Sequence, residues 1–220
     1  GSISRWMLFY YIIRSDEGKS TSPATDIVNN MDQFIVSDYN YGNAYGIWND
    51  LYVGIFRANQ VIANVPDIDM DEGLKERVTG EAKFMRAMFY YHLVSLWGNV
   101  PVMLEPSAPQ DKPETSPMAD VWAQIEADLV DAVSTLPDVY DDPANLGRAT
   151  SGAARTLLAK AYMQQGKYDE ALQPLEWMVE GEGASIYDLT DNYRDNFMIT
   201  TENNVESVFE WQFAINPTEF

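Results

Sequence analysis

The apolar positions that follow residue 47 recur at intervals of three and four residues, which is the spacing of one face of an α-helix. In the stretch WNDLYVGIFRANQVIANV this spacing joins eight positions: Trp48, Leu51, Tyr52, Ile55, Phe56, Asn59, Ile62 and Ala63. Pro66 ends the helix, because the residue before a proline is disfavoured in the helical conformation. A second apolar helix is predicted to follow and to end near Gly98. Residues 48–104 are therefore predicted to contain the first repeat helices.

The second half of the chain repeats this pattern. A third helix is predicted over roughly 118–136, with one apolar face: Val121, Trp122, Ile125, Leu129, Ala132 and Val133. Two more helices meet at a glycine turn, and eight of their residues lie at the offsets of a tetratricopeptide unit: Leu158, Ala159, Tyr162, Gly166, Tyr168, Ala171, Leu175 and Met178. Such hairpins stack on their neighbours. The predicted fold is mainly α, a tetratricopeptide-like α-α superhelix of stacked helix pairs, and residues 118–182 hold its tetratricopeptide-like helices.

Three other segments complete a single predicted helical-repeat domain over residues 1–220. Residues 14–47 are rich in Gly, Ser, Asn and Asp and predict a loop-rich excursion. Residues 105–117 contain four prolines and predict a linker. Residues 207–214 alternate apolar and polar side chains, which predicts a short β-strand near the C-terminal end. Because a lone strand cannot satisfy its hydrogen bonds, we expect the chain to be a fragment of a longer protein.

The second predicted helix ends in a distinctive break, SLWGNVPVML. Gly98 suits the left-handed conformation that ends many helices, and Pro101 keeps the exit extended. Glu81, Phe84 and Arg86 lie at helical spacing ahead of the break. We interpret this stretch as a structural device that ends a repeat helix, and not as a binding site.

Composition narrows the possible partners. A formal net charge of −20 disfavours nucleic acid, since phosphate contacts need clustered Lys and Arg. The chain has no cysteine, which excludes disulfides and thiolate metal sites within these residues. The longest apolar run, Trp6–Ile13, is shorter than the ~20 residues that cross a bilayer. No signal peptide is visible at the start of the sequence.

Three passages in this order resemble the SusD/RagB family, the surface lipoproteins that capture nutrients for an outer-membrane transporter: GEAKFMRAMFYYHLVSLWGNVPVML, RATSGAARTLLAKAYMQQGKYDEA and NNVESVFEWQF. The family pattern is a G-E-A-[KR]-F-x-R-A helix that ends in [YW]-G-[ND]-[VI]-P, then a tetratricopeptide-like hairpin and an E-S-[IV]-[FW]-E strand. RSDEGKSTSP and WNDLYVGIFRANQVIANV are supporting matches. The resemblance covers most of the chain and is specific for the family, but not for a ligand.

The resemblance implies a non-catalytic protein that captures oligosaccharides and delivers them to a SusC-like TonB-dependent transporter. It implies a place on the extracellular face of the outer membrane, with membrane attachment only through a lipid anchor that lies outside these residues. No cofactor is expected. Two alternatives stay open: a RagB-like relative that captures peptides, and a plain tetratricopeptide scaffold that binds a protein in its groove.

The candidate ligand segment is DYNYGNAYGIW, residues 38–48. A sugar ring offers apolar C–H faces and a rim of hydroxyls, so flat aromatic rings beside amide and carboxylate groups suit it. The predicted ligand-binding residues are Asp38, Tyr39, Asn40, Tyr41, Asn43, Tyr45 and Trp48. The alternative is that these aromatic rings only attach the loop to the first repeat helix, with Trp48 in the core.

The sequence contains none of the metal-binding or catalytic motifs that we considered. DIDMDEG at residues 67–73 fails the EF-hand pattern, which needs Gly at its sixth position and Glu at its twelfth, where Glu72 and Val78 stand. His92 is the only histidine, so a zinc site is not expected. No phosphate-binding glycine loop, G-x-S-x-G or H-E-x-x-H motif is present.

Overall fold

The computed structural model describes residues 7, 10–21, 27–35, 42–108 and 111–212. Its α-helices are α1 (Ile27–Asp32), α2 (Gly42–Asn64), α3 (Glu72–Trp97), α4 (Met118–Thr135), α5 (Ser151–Gln164) and α6 (Tyr168–Val179). The chain divides into two compact units, residues 1–57 and 58–220, and the boundary falls within α2. The mainly α fold is thus confirmed, although one domain was predicted where two units are found.

In the second unit, each helix from α3 to α6 packs against the next one along the chain. The side chains buried most completely are large and apolar on α3 and α4, such as Phe84, Leu93 and Leu129, and small on α5, such as Ala154 and Ala161. Small residues let neighbouring helices approach closely, which is how a helical hairpin fills its interior without voids. The predicted stack of helices is the core of this unit.

Local capping fixes where these helices begin and end. Asp71 accepts a hydrogen bond from the Leu74 N–H at 2.9 Å and starts α3, and Thr150 accepts from the Ala153 N–H at 3.2 Å and starts α5. Gly166 has φ +72° between α5 and α6, as the predicted turn requires. Gly98 has φ +71°, but its ψ of −106° differs from that of the left-handed helical region. The positive φ at the break therefore favours glycine at position 98, as predicted, but its backbone is not in the predicted left-handed helical conformation.

Two predicted segments differ from the structure. Residues 14–47 were predicted as loops, yet α1 lies within them and α2 begins at Gly42 rather than at Trp48. Residues 207–212 form no strand, and the last two residues of the predicted strand lie outside the described ones. Among the described residues the only isolated bridge joins Val100 to Ser116. Alternation makes a strand only where a partner strand accepts its hydrogen bonds.

No helix within the described ranges combines the length and the apolar character that crossing a bilayer requires.

Candidate functional site

The predicted ligand segment lies only partly within the described residues. Asp38, Tyr39, Asn40 and Tyr41 fall outside them. Asn43 belongs to α2, but its side chain is not described. The structure therefore describes two of the predicted side chains, Tyr45 and Trp48, and it places both on the first turns of α2.

Tyr45 and Trp48 expose aromatic surface on a regular helix. Tyr45 is 70% exposed, and Trp48 is half-buried. The rings of Trp48 and Tyr52, one turn apart, have centroids separated by 4.9 Å and planes inclined by 43°. This contact holds the indole in place beside its neighbour, since aromatic pairs favour such offset and tilted arrangements.

The aromatic surface continues beyond the predicted segment. Residues three, four or seven positions apart lie on one face of a helix, so four rings share one face of α2: Tyr45, Trp48, Tyr52 and Phe56. We call these four residues the α2 aromatic face. Phe56 is 39% exposed, and exposed Asn49 follows Tyr45 by one helical turn.

A neighbouring stripe of α2 is aliphatic and buried. Ile47 and Leu51 are fully buried, and Ile55 is 1% exposed. The eight positions that the sequence pattern put on one face are thus divided: Leu51 and Ile55 are buried, while the aromatic ones keep contact with solvent. Sequence reasoning missed Tyr52, Phe56 and Asn49 as candidate ligand residues, and the signal that could have found them is the restriction of all aromatic rings to one helical stripe.

A buried ion pair joins α3 to α4 in the second unit. The Arg86 guanidinium donates from Nε to Asp128 Oδ2 at 2.8 Å and from Nη2 to Asp128 Oδ1 at 2.7 Å. The two side chains are 6% and 3% exposed. Arg86 Nη1 also donates to Asn59 Oδ1 at 2.8 Å. This bidentate pair satisfies the charges that burial would otherwise destabilise.

The same network fixes the chain that leaves the helix break. The Asn59 side-chain amide donates to the carbonyls of Met103 and Glu105, at 2.9 and 3.1 Å. The Tyr90 hydroxyl lies 3.0 Å from Met103 O and accepts from the Met103 N–H at 2.6 Å. Burial raises the pKa of Tyr90 to about 12, so the hydroxyl stays protonated and can donate. The described partners of Arg86 are all parts of the fold, in agreement with our interpretation of this stretch as structural.

Glu81, the other charged residue of the same motif, also holds the fold together. It accepts a hydrogen bond from Arg148 at 2.7 Å, and the Tyr140 hydroxyl lies 3.0 Å from its carboxylate. Both partners belong to the turn that leads into α5. The motif thus links α3 to two separate segments of the second unit.

A cleft of about 290 Å³ opens between the turn at residues 138–150 and the segment at residues 186–210. Several of its polar groups are already bonded to one another. The Tyr187 and Thr150 hydroxyls lie 3.1 Å apart, and Glu210 accepts from the Asn203 N–H at 2.9 Å. This pairing leaves fewer groups to recognise a ligand, so the cleft is a weaker candidate than the α2 aromatic face.

A further set of exposed apolar side chains lies near the end of the described chain, at 48 to 85% exposure: Leu189, Tyr193, Phe197, Ile199, Val205 and Trp211. The rings of Tyr193 and Phe197 pack edge to face with centroids 5.2 Å apart. Aliphatic side chains make up half of this set, and they provide no flat surface for a sugar ring. No group of three or more His, Cys, Asp or Glu side chains that could hold a metal occurs in the described part of the chain.

Comparison with known proteins identifies the family. The SusD-like family model, described as starch-binding and associating with the outer membrane, matches residues 13–163. SusD-like protein P25 of Formosa agariphila is 31% identical over 170 residues, which are 76% of this chain and 32% of that protein. The chain therefore spans about a third of the length of this relative.

Solved structures agree with the match. A laminarin-binding SusD-like protein superposes with a TM-score of 0.79 at 30% identity, covering 91% of this chain and 44% of that one. A crystal structure with xylogluco-oligosaccharide superposes with a TM-score of 0.74 at 29% identity, covering 86% of this chain and 38% of that one. From its family match and the similarity of its helical fold to these neighbours, this chain belongs to the SusD-like family of starch-binding, outer-membrane-associated proteins.

Proposed function

We propose that this chain is the part of a cell-surface glycan-binding protein that grips oligosaccharides with the α2 aromatic face and with residues 38–43. The observation that carries the proposal is the exposure of aromatic rings along one face of a helix whose neighbouring stripe, Ile47, Leu51 and Ile55, is buried. Relatives that bind laminarin and xylogluco-oligosaccharide support a glycan ligand.

Binding would rest on stacking and hydrogen bonding, without chemistry. Tyr45 and Trp48 present flat apolar surface to the C–H face of a sugar ring, and exposed Asn49 can donate to and accept from its hydroxyls. Carboxylate pairs are abundant at this acidic composition, so their presence alone does not indicate a glycosidase.

The cellular setting is part of the same proposal. The protein would lie on the extracellular face of the outer membrane, held there by a lipid anchor, and would deliver its ligand to a SusC-like TonB-dependent transporter. The family's association with the outer membrane supports this setting. Co-purification of a transporter with the tagged protein from native membranes tests it, and recovery of the protein alone would count against the partner.

Calorimetric titration with laminari-oligosaccharides tests the ligand. Tyr45→Ala and Trp48→Ala each remove one stacking ring, and we expect each to weaken binding by about tenfold, which corresponds to about 1.4 kcal/mol. Phe197→Ala is the control, because this ring is as exposed as Tyr45 but belongs to the other unit. Equal affinity in all three variants would exclude the α2 aromatic face, and binding of peptides in place of glycans would favour a peptide-capturing protein.

A further inference from the structure

The end of α1 places an aromatic residue where glycine is normally required. The Ile35 N–H donates to Asn30 O at 2.8 Å and the Phe34 N–H donates to Met31 O at 3.2 Å. This pair of hydrogen bonds is a Schellman motif, in which the residue after the helix end adopts a left-handed conformation. Phe34 occupies that position with φ +56°.

A bulky residue with positive φ carries a conformational penalty that glycine avoids. Penalties of this kind persist where the surroundings offset them, and they cluster at functional sites. Burial does not offset this one, because Phe34 is 62% exposed. The left-handed backbone thus places a phenyl ring in solvent rather than in the core.

The exposed ring borders an open cleft of about 620 Å³ in the first unit. The Arg14 guanidinium carbon lies 5.1 Å from the centre of the Phe34 ring, which restrains the ring by a cation–π contact. The Ser20 N–H donates to Asp32 Oδ2 at 3.2 Å and ties the other wall of the cleft to α1. Contacts within this unit thus fix the Phe34 ring relative to the residues that line the cleft.

The charges of the cleft are balanced. Arg14 and Lys19 supply donors, while Asp16 and Asp32 supply carboxylate acceptors. This mixture of donors and acceptors suits the neighbouring hydroxyls of a sugar, each of which donates and accepts. An acidic sugar would gain nothing from the balanced cleft and would be repelled by a chain of net charge −20.

We propose that Phe34 is a stacking platform for one ring of a neutral oligosaccharide, whose hydroxyls are held by Arg14, Lys19, Asp16 and Asp32. This inference rests on the proposed glycan-binding function and adds a second contact surface, separate in sequence from the α2 aromatic face. It also assigns the ligand to the neutral glycans rather than to those that carry uronic acids.

The decisive variant is Phe34→Gly, because it changes stability and binding in opposite directions. Glycine removes the penalty of positive φ, so the thermal unfolding midpoint should rise by about 2 °C. The stacking surface is lost, so affinity for laminari-oligosaccharide, measured by calorimetry, should fall about tenfold. Phe34→Tyr keeps the ring and should retain affinity, and Phe197→Ala is the control for loss of an exposed ring elsewhere.

Either of two results would overturn this inference and leave the proposed function standing. The first is unchanged laminari-oligosaccharide affinity in Phe34→Gly while Tyr45→Ala or Trp48→Ala still weakens binding. The second is a preference of the unmodified chain for alginate oligosaccharides, which carry uronic acids, over laminari-oligosaccharides. If the unmodified chain binds neither neutral nor acidic glycans, the proposed function itself fails, and this inference fails with it.

Discussion

The helices of the second unit and the elements of the first unit use their polar and aromatic side chains in opposite ways. Between α3 and α4 two charged residues, Arg86 and Asp128, are buried and bonded to each other. In residues 10–57 the aromatic residues Phe34 and Tyr45 extend into solvent. From this difference we expect the buried pair of the second unit to act on stability and the exposed rings of the first unit to act on binding. Substitutions should therefore separate stability from binding.

The largest expected effect is on the stability of the second unit. Arg86→Leu leaves the Asp128 carboxylate buried without its partner, and we expect the free energy of unfolding to fall by about 3–5 kcal/mol in urea denaturation. Lys83→Ala removes an ion pair with Asp131 whose carboxylate side chain is 55% exposed, and it should change the same quantity by less than about 1 kcal/mol. Similar losses of unfolding free energy in the two variants would contradict the conclusion that the buried Arg86–Asp128 pair stabilises the fold more than the exposed pair does.

The sole histidine should make stability depend on pH. Burial, with a smaller effect from Lys160, lowers the pKa of His92 to about 4, whereas an unfolded histidine titrates near ~6.5. Between these values the unfolded chain binds one more proton, so the free energy of unfolding should fall by up to about 1.4 kcal/mol for each pH unit as pH decreases.

Urea denaturation of the unmodified chain and of His92→Gln, from pH 7 to pH 4, measures this dependence. The difference between their slopes isolates the histidine from the many carboxylates that also titrate. Parallel curves would show that His92 is accessible to protons in the folded state.

A smaller effect is expected where the network meets the chain after the helix break. Tyr90→Phe removes the hydroxyl that contacts both the N–H and the carbonyl of Met103, and it should cost about 1–2 kcal/mol of unfolding free energy. Hydrogen exchange should then rise at residues 102–104 while the interior of α3 stays protected. Unchanged exchange at Met103 would show that Asn59 alone fixes this segment.

The smallest effect on stability should come from a substitution in the α2 aromatic face. Tyr45→Ala removes a side chain that is 70% exposed, so unfolding free energy should change by no more than about 0.5 kcal/mol, although binding weakens. A loss of several kcal/mol in urea denaturation would show that this ring supports the fold, as the alternative interpretation of the segment holds.

The sequence alone predicts the helical repeats well, because their signals are local. Apolar spacing from Trp48 onward and the glycine at position 166 specify helices and a turn without reference to distant residues. The predicted family is confirmed by the family model, which matches residues 13–163.

The parts that the sequence did not predict depend on tertiary surroundings. Apolar spacing does not distinguish buried Leu51 from half-exposed Tyr52, because both lie at helical intervals. Phe34 gives no signal at all, since sequence rules expect glycine at a left-handed helix end. The predicted strand at residues 207–214 was wrong over its described part, because alternation cannot reveal whether a partner strand is present.

The most direct test of the account is amide NMR of the isotope-labelled chain during titration with laminari-oligosaccharide. We expect concentration-dependent shifts at residues 31–35 and 45–56, and none within α4, α5 or α6. Shifts confined to these three helices, with the first unit unchanged, would contradict the claim that exposed aromatic rings of the first unit hold the glycan.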